Sequence, residues 1–125
     1  MRWTMILAAV LLVAHGLIHL IGTTVYLRLA EIEGFAYKTT LLGGRWDLGA
    51  AGIGIFGALW AVATVGFIAA AIGMLTNSSW WQPALIAVTV YSLILTALDS
   101  SLAFAGIGLN IAILIALFWM RRSSG

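Results

Sequence analysis

Hydrophobic positions along this chain come in long runs, without the alternation of half-buried strands or the one-sided stripe of surface helices. Residues 3–26, 48–75, 82–104 and 107–120 are almost free of charge. A membrane-spanning helix needs about 20 apolar residues, so the pattern predicts four spans. Polar and small residues punctuate them. Thr76-Asn77-Ser78-Ser79 and then Trp80-Trp81 separate the second span from the third, a polar-then-aromatic order suited to a membrane interface. Pro83 stands in the first turn of the third span, where its missing N–H costs little. Ala105-Gly106 is the expected break before the fourth. One extended segment, residues 27–47, lies outside the spans. Its first half is expected to form a short amphipathic helix on the membrane surface. Gly43-Gly44 then permits a sharp re-entry, and Asp47 falls where the N-cap of the second span belongs.

Composition agrees with this pattern. The 125 residues are 63% hydrophobic and 8% charged, with a mean hydropathy of +1.12. Soluble domains carry about 25% charged residues, and so few charges cannot cover a water-facing surface. The expected fold is an all-α integral membrane protein, a four-transmembrane-helix bundle forming a single domain over residues 1–125. The first apolar run is about twice the length of a signal-peptide core and no small-x-small site follows it, so it is expected to stay as a helix. The sequence has no cysteine, which excludes disulfides and thiolate metal sites within it. Its six Lys and Arg are scattered, and no basic patch points to nucleic acid. Four spans put both termini on one side. Arg2, Arg121 and Arg122 on that side balance Arg28, Lys38 and Arg45 on the other. The arginines that abut their helices favour cytoplasmic termini in a bacterial cytoplasmic membrane.

Against this apolar background the polar positions stand out. His15 and His19 are the only two histidines. Four residues apart, they share one helix face. Ionisable groups at membrane depth are costly and are read as functional-site candidates. The alternating direction of the spans places His19, Asp47, Asp99, Ser100 and Asn110 in the half of the bilayer nearer the long loop, with His15 at the floor of that half. Trp60 lies mid-span, away from the interfaces where Trp collects. The expectation is a polar pocket open toward the long loop, with Asp99 and Asn110 facing the histidines, Asp47 at the rim and Trp60 packing nearby.

Several chemistries fit that set. His15, His19 and a carboxylate, Asp99 or Asp47, would suit a divalent metal such as zinc, iron or manganese. Two histidines on one face cannot both be axial ligands of one iron, which leaves a haem held by a single histidine. A histidine beside a carboxylate can relay protons, and a quinone could lie between His19 and Trp60 or Tyr91. The same residues could also simply hydrogen-bond one another across helices. Ala50, Gly54 and Ala58, with Gly57 and Ala61 on a neighbouring strip, predict close helix packing or self-association, with the second span central to the bundle.

The segment His15-Gly16-Leu17-Ile18-His19-Leu20-Ile21-Gly22 resembles a group of small, functionally uncharacterised bacterial four-helix membrane proteins whose first span carries a His-Gly-x-x-His-Leu-x-Gly pattern. In that group an acidic step ends the third span and an Asn opens the fourth, as Asp99-Ser100-Ser101 and Asn110 do here. The resemblance implies the fold and a polar centre, and no activity. Two functional classes follow. One is a lipid-embedded protein with a buried His/Asp/Asn site for a metal ion or a small apolar ligand. The other is an accessory subunit of a larger energy-transducing membrane complex, with the polar residues as an interhelical hydrogen-bond network.

Overall fold

The structure is a computed structural model that describes the backbone of residues 2–124 and the side chains of residues 3–99 and 107–120. It contains four helices: α1 (Arg2–Tyr26), α2 (Gly49–Leu75), α3 (Trp81–Leu98) and α4 (Ser100–Ser124). Trp3–Tyr26, Gly49–Leu75 and Trp81–Leu98 are each long and apolar enough to cross a membrane, and α4 carries a shorter apolar stretch, Ile107–Met120. The all-α, four-helix architecture is therefore as the sequence leads one to expect.

Two local expectations are corrected. The break between the last two helices lies at Asp99, not at Ala105-Gly106, which falls inside α4. Asp favours helix ends over helix interiors, and here its carboxylate is drawn out of the helical register by partners on α1 and the long loop. The first half of that loop is not helical. Arg28 takes a left-handed conformation (φ 57°), and the Arg28 and Leu29 N–H groups return to the Val25 and Thr24 carbonyls. This Schellman motif closes α1. A single bridge, Ile32 with Phe35, then turns the chain through Gly34. The second half is a small antiparallel hairpin, β1 (Thr40–Leu41) with β2 (Trp46–Asp47). Gly43 and Gly44 reverse it at φ 67° and 91°, so the expected sharp turn is present.

α2 is the central helix. It packs most extensively on α1 and also on α3, while α4 packs mainly on α3. In its apolar window 44% of α2 is buried, against 28% for α1 and for α3. The α1–α2 seam is close because glycines line it. A Cβ at Gly16 would stand 2.9 Å from the Phe67 Cβ and 3.3 Å from the Thr64 carbonyl oxygen, and one at Gly57 would stand 2.9 Å from the Tyr26 Cβ. Close approach also exposes backbone carbonyls to side chains of the opposing helix. The Thr64 hydroxyl donates to Gly16 O at 2.6 Å, and the Thr23 hydroxyl donates in the opposite sense to Gly57 O at 2.7 Å. Without a hydrophobic force between helices in lipid, packing of this kind holds them together.

Gly16 and Gly108 therefore respond oppositely to one added methyl. Gly16→Ala must displace the root of a fully buried Phe67 side chain and is expected to cost about 1–3 kcal/mol. Gly108→Ala meets nothing within 4 Å and should be neutral or stabilising by up to about 1 kcal/mol. Thermal unfolding of both variants in mild detergent checks the pair, and equal shifts would contradict the seam.

Candidate functional site

His15 and His19 are both buried, and each is placed by a glycine-lined stretch of α1 that lets α2 close over it. The His15 ring meets Phe67 edge-on at 4.8 Å between centroids. The His19 ring lies 5.4 Å from Phe67 and 5.2 Å from Trp60, and the two imidazoles meet edge-on at 5.0 Å. Trp60 thus packs directly on the site, as expected. The other wall is supplied by Ser92 and Thr96 of α3 and by Asn110 of α4, all fully buried.

Four hydrogen bonds join these residues in a closed ring, and their directions are forced. His19 Nδ1 lies 2.8 Å from His15 O. A carbonyl only accepts, so Nδ1 carries the proton. Neither histidine has a carboxylate partner, and an unpaired charge in an apolar interior is very costly, so both imidazoles are neutral. His19 Nε2 is therefore an acceptor, and the Ser92 hydroxyl, 2.5 Å away, donates to it. With its one proton used, Ser92 Oγ must accept from its other neighbour, Asn110 Nδ2 at 2.9 Å. That amide nitrogen is also 3.5 Å from Thr96 Oγ1, whose own hydroxyl donates to the Ser92 and Leu93 carbonyls. Asn110 Oδ1 consequently faces His15 Nε2 at 3.0 Å and accepts from it. His15 is thereby left with a bare lone pair on Nδ1. That atom is buried and, among the described residues, has no hydrogen-bond partner; the same holds for Trp60 Nε1 and Thr89 Oγ1.

Asp99 belongs to a separate polar centre. The Tyr26 hydroxyl donates to Asp99 Oδ2 and the Lys38 ammonium to Asp99 Oδ1; Lys38 Nζ also donates to the Tyr26 oxygen at 3.0 Å. Asp99 and Tyr26 are buried at 4% and 3% exposure, and the Lys38 side chain is 27% exposed. The Leu42 N–H donates to Leu98 O at 3.0 Å. The ion pair and this backbone bond together latch the hairpin onto the end of α3.

The expected metal set of His15, His19 and Asp99 is therefore not assembled. Both Asp99 oxygens and both His19 nitrogens are engaged by other groups, and among the described residues no cluster of three His, Asp or Glu gathers. Asp47 takes no part in the ring either. It is exposed on β2, where its Oδ1 accepts from the Gly49 N–H at 2.9 Å and the Thr39 hydroxyl at 3.0 Å. It thus serves the start of α2, as its position suggests, although the residue at the helix boundary is Leu48. The Ser100 side chain lies outside the described residues. Sequence reasoning missed Ser92, Thr96, Tyr26 and Lys38. The i, i+4 pair Ser92 and Thr96 marks a polar stripe on α3 that could have been found. Lys38 is a loop residue brought in only by the tertiary fold.

The cavity that His15 borders lies on the side of the bundle opposite the long loop. It has a volume of about 480 Å3 and lies between α1 and α4 over the start of α3, lined among others by Leu11, Ala14, His15, Leu85, Ala112 and Ala116. Its lining includes Met74, Trp81 and Met120, residues at the helix ends nearer the termini. It therefore runs from His15 toward the terminal side of the bundle. Among the described residues no charged side chain borders it, and its polar members there are His15 and the Trp81 indole. No protein-family model, curated protein or solved structure matches this chain.

Two stability predictions follow from these contacts. Lys38→Met leaves the Asp99 carboxylate buried without its countercharge and is expected to cost about 3 kcal/mol. The double variant Lys38→Met/Asp99→Leu should recover much of that loss in a detergent unfolding titration. At the other end of the loop, the Gly49 N–H and then the Thr39 hydroxyl hold the Asp47 carboxyl below the ordinary carboxylate range. Its contribution is present at neutral pH and is lost as the pH falls through that lowered value. The melting temperature of Asp47→Asn should accordingly fall less steeply than the parent's below about pH 4.

Proposed function

We propose that this protein is a multi-pass membrane protein that holds a small apolar molecule in the cleft between α1 and α4, against the His15 wall. The observation that carries this reading is the cleft itself. Its volume of about 480 Å3 falls in the range of small-molecule sites, roughly 300–1,000 Å3, which are mostly apolar and carry a few fixed polar groups. The hydrogen-bond ring supports the same reading because it fixes the one imidazole that borders the cavity. Ala14, Ala112 and Ala116 keep it open: each is a short side chain where a longer one would fill the space. Access is lateral, from the lipid, since α1 and α4 share few contacts. Within this reading the termini face the cytoplasm of a bacterial cell, with Arg2, Arg121 and Arg122 abutting the membrane on that side.

A second reading has its own support. Ala50 and Ala58 are exposed on α2, with Gly54 half-buried between them, a small-residue face suited to another helix. On that reading the protein is a subunit of a larger membrane assembly and the ring is a structural clasp.

The two readings separate on a filled cleft. Ala112→Trp is expected to abolish labelling of α1 and α4 by a photoreactive alkyl probe in nanodiscs, while leaving the helical circular dichroism unchanged. Labelling that persists at the same α1 and α4 residues would contradict the cleft reading. Co-purification with stoichiometric partner proteins, lost in Ala58→Leu, would favour the subunit.

A further inference from the structure

A second cavity, separate from the cleft, lies at the other end of the bundle, where α1 gives way to the long loop. It has a volume of about 780 Å3 and is lined by Val25 and Arg28 at the end of α1 and by residues 30–32 and 34–37 of the loop. That volume falls in the range of small-molecule sites, roughly 300–1,000 Å3. The lining is divided in character. Val25, Ile32 and Phe35 are apolar and buried or half-buried, whereas Arg28, Glu31 and Tyr37 are exposed. Arg28 and Glu31 are the charged members of the lining and carry opposite signs. Among the described residues neither enters an ion pair; that role falls to Lys38 and Asp99. The Arg28 backbone is fixed by the left-handed turn that closes α1. Its guanidinium carbon lies 4.8 Å from the centroid of the Tyr37 ring, so an aromatic residue of the same wall holds the cation beside the cavity. Stacking of this kind uses the guanidinium face and leaves its N–H fork for an anion. The Glu31 side chain is exposed and therefore accessible to a molecule in the same space.

We infer that this cavity holds the headgroup of a membrane phospholipid with a primary amine, a phosphoethanolamine, its phosphate on Arg28 and its ammonium on Glu31, with the glycerol carbons beside Ile32 and Phe35. Depth argues for a lipid. The spanning part of α1 ends at Tyr26, and the cavity begins at Val25 and Arg28, at the level of the headgroups. Leu27 and Leu29, which flank Arg28, are 42% and 70% exposed, a placement that suits acyl chains better than water. Charge argues for a zwitterion. The planar Arg fork matches a phosphate, and an ammonium donates to a carboxylate. A quaternary ammonium has no N–H to donate and is recognised instead on aromatic faces, but Tyr37 already holds the Arg28 guanidinium. An anionic headgroup without an amine leaves Glu31 unpaired beside a like charge. The inference concerns a different cavity from the apolar cleft, so the two stand or fall separately.

The test uses the full chain, stripped of lipid in mild detergent and titrated with dihexanoyl phospholipids that differ only in headgroup: phosphoethanolamine, phosphocholine and phosphoglycerol. Native mass spectrometry reads the bound copies. The phosphoethanolamine lipid is expected to bind roughly two- to fivefold more tightly than either of the others, the ratio that one exposed charge pair supports. In Glu31→Gln its advantage over the phosphocholine lipid should vanish, while the phosphocholine lipid binds as before. In Arg28→Gln both should weaken by a similar factor, since both carry the phosphate. Helical circular dichroism should be unchanged in both variants, because both side chains are exposed. Equal binding of the three lipids to the parent protein would overturn the inference without recourse to any variant. So would an advantage that survives Glu31→Gln. Tightest binding of the phosphoglycerol lipid would mark a plain anion site and overturn the amine assignment. Free phosphoethanolamine is expected to compete only at much higher concentration than the lipid; competition at equal concentration would overturn the membrane source.

Discussion

Inside an apolar bundle no water is at hand to complete a hydrogen bond, so each buried polar group must be satisfied by another part of the chain or remain a cost. The organisation of this protein follows from that constraint. Two imidazoles, a serine, a threonine and an asparagine from three helices solve it jointly, with every donor matched to an acceptor. Individual interhelical hydrogen bonds in membranes are worth only about 0.6 kcal/mol on average. Their value here lies in register. Asn110 can meet both His15 and Ser92 only at one rotation of α4, and α4 has little other contact with α1 to set it.

The close α1–α2 seam and the open α1–α4 side are two consequences of side-chain size. Where Gly16, Gly22 and Gly57 line the contact, large rings fill the space: Phe67 lies against Gly16 and Trp60 against Gly22. Those same rings press on the imidazoles. Thus the residues that let the helices approach also orient the histidines. On the far side small residues face one another across a gap, Ala14 on α1 and Ala112 and Ala116 on α4. The cleft and the ring share one residue, His15, and that coincidence gives an otherwise structural network a chemical outlook.

The second polar centre answers the same constraint at the edge of the bundle. Asp99 ends α3 and would be a buried charge on its own. Lys38 neutralises it from the loop, and Tyr26 completes its hydrogen bonding from α1. The carboxylate is thereby withdrawn from the histidines and given a structural task, holding the hairpin over the end of the helices. Two polar groups in the same half of an apolar bundle need not share a site; each settles with the nearest partner that relieves it.

Much of the architecture was legible in the residues alone. Long uncharged runs dictated four helices, because only a helix satisfies its own backbone in an apolar surrounding. The His15–His19 spacing dictated one shared helix face, and Gly43-Gly44 a tight reversal. His15, His19, Asn110 and Trp60 do converge, since helix direction and depth can be counted from the sequence. Which side chain faces which cannot be counted, because helix rotation and the path of a loop are set by packing among residues distant in the chain. The tertiary structure therefore decided that Asp99 pairs with Lys38 rather than with a histidine, that Ser92 closes the ring, and that the helix breaks at Asp99. It also decided that the cavity at His15 opens toward the termini. Each is a contest between partners for one buried group, and only the folded geometry ranks those partners by distance.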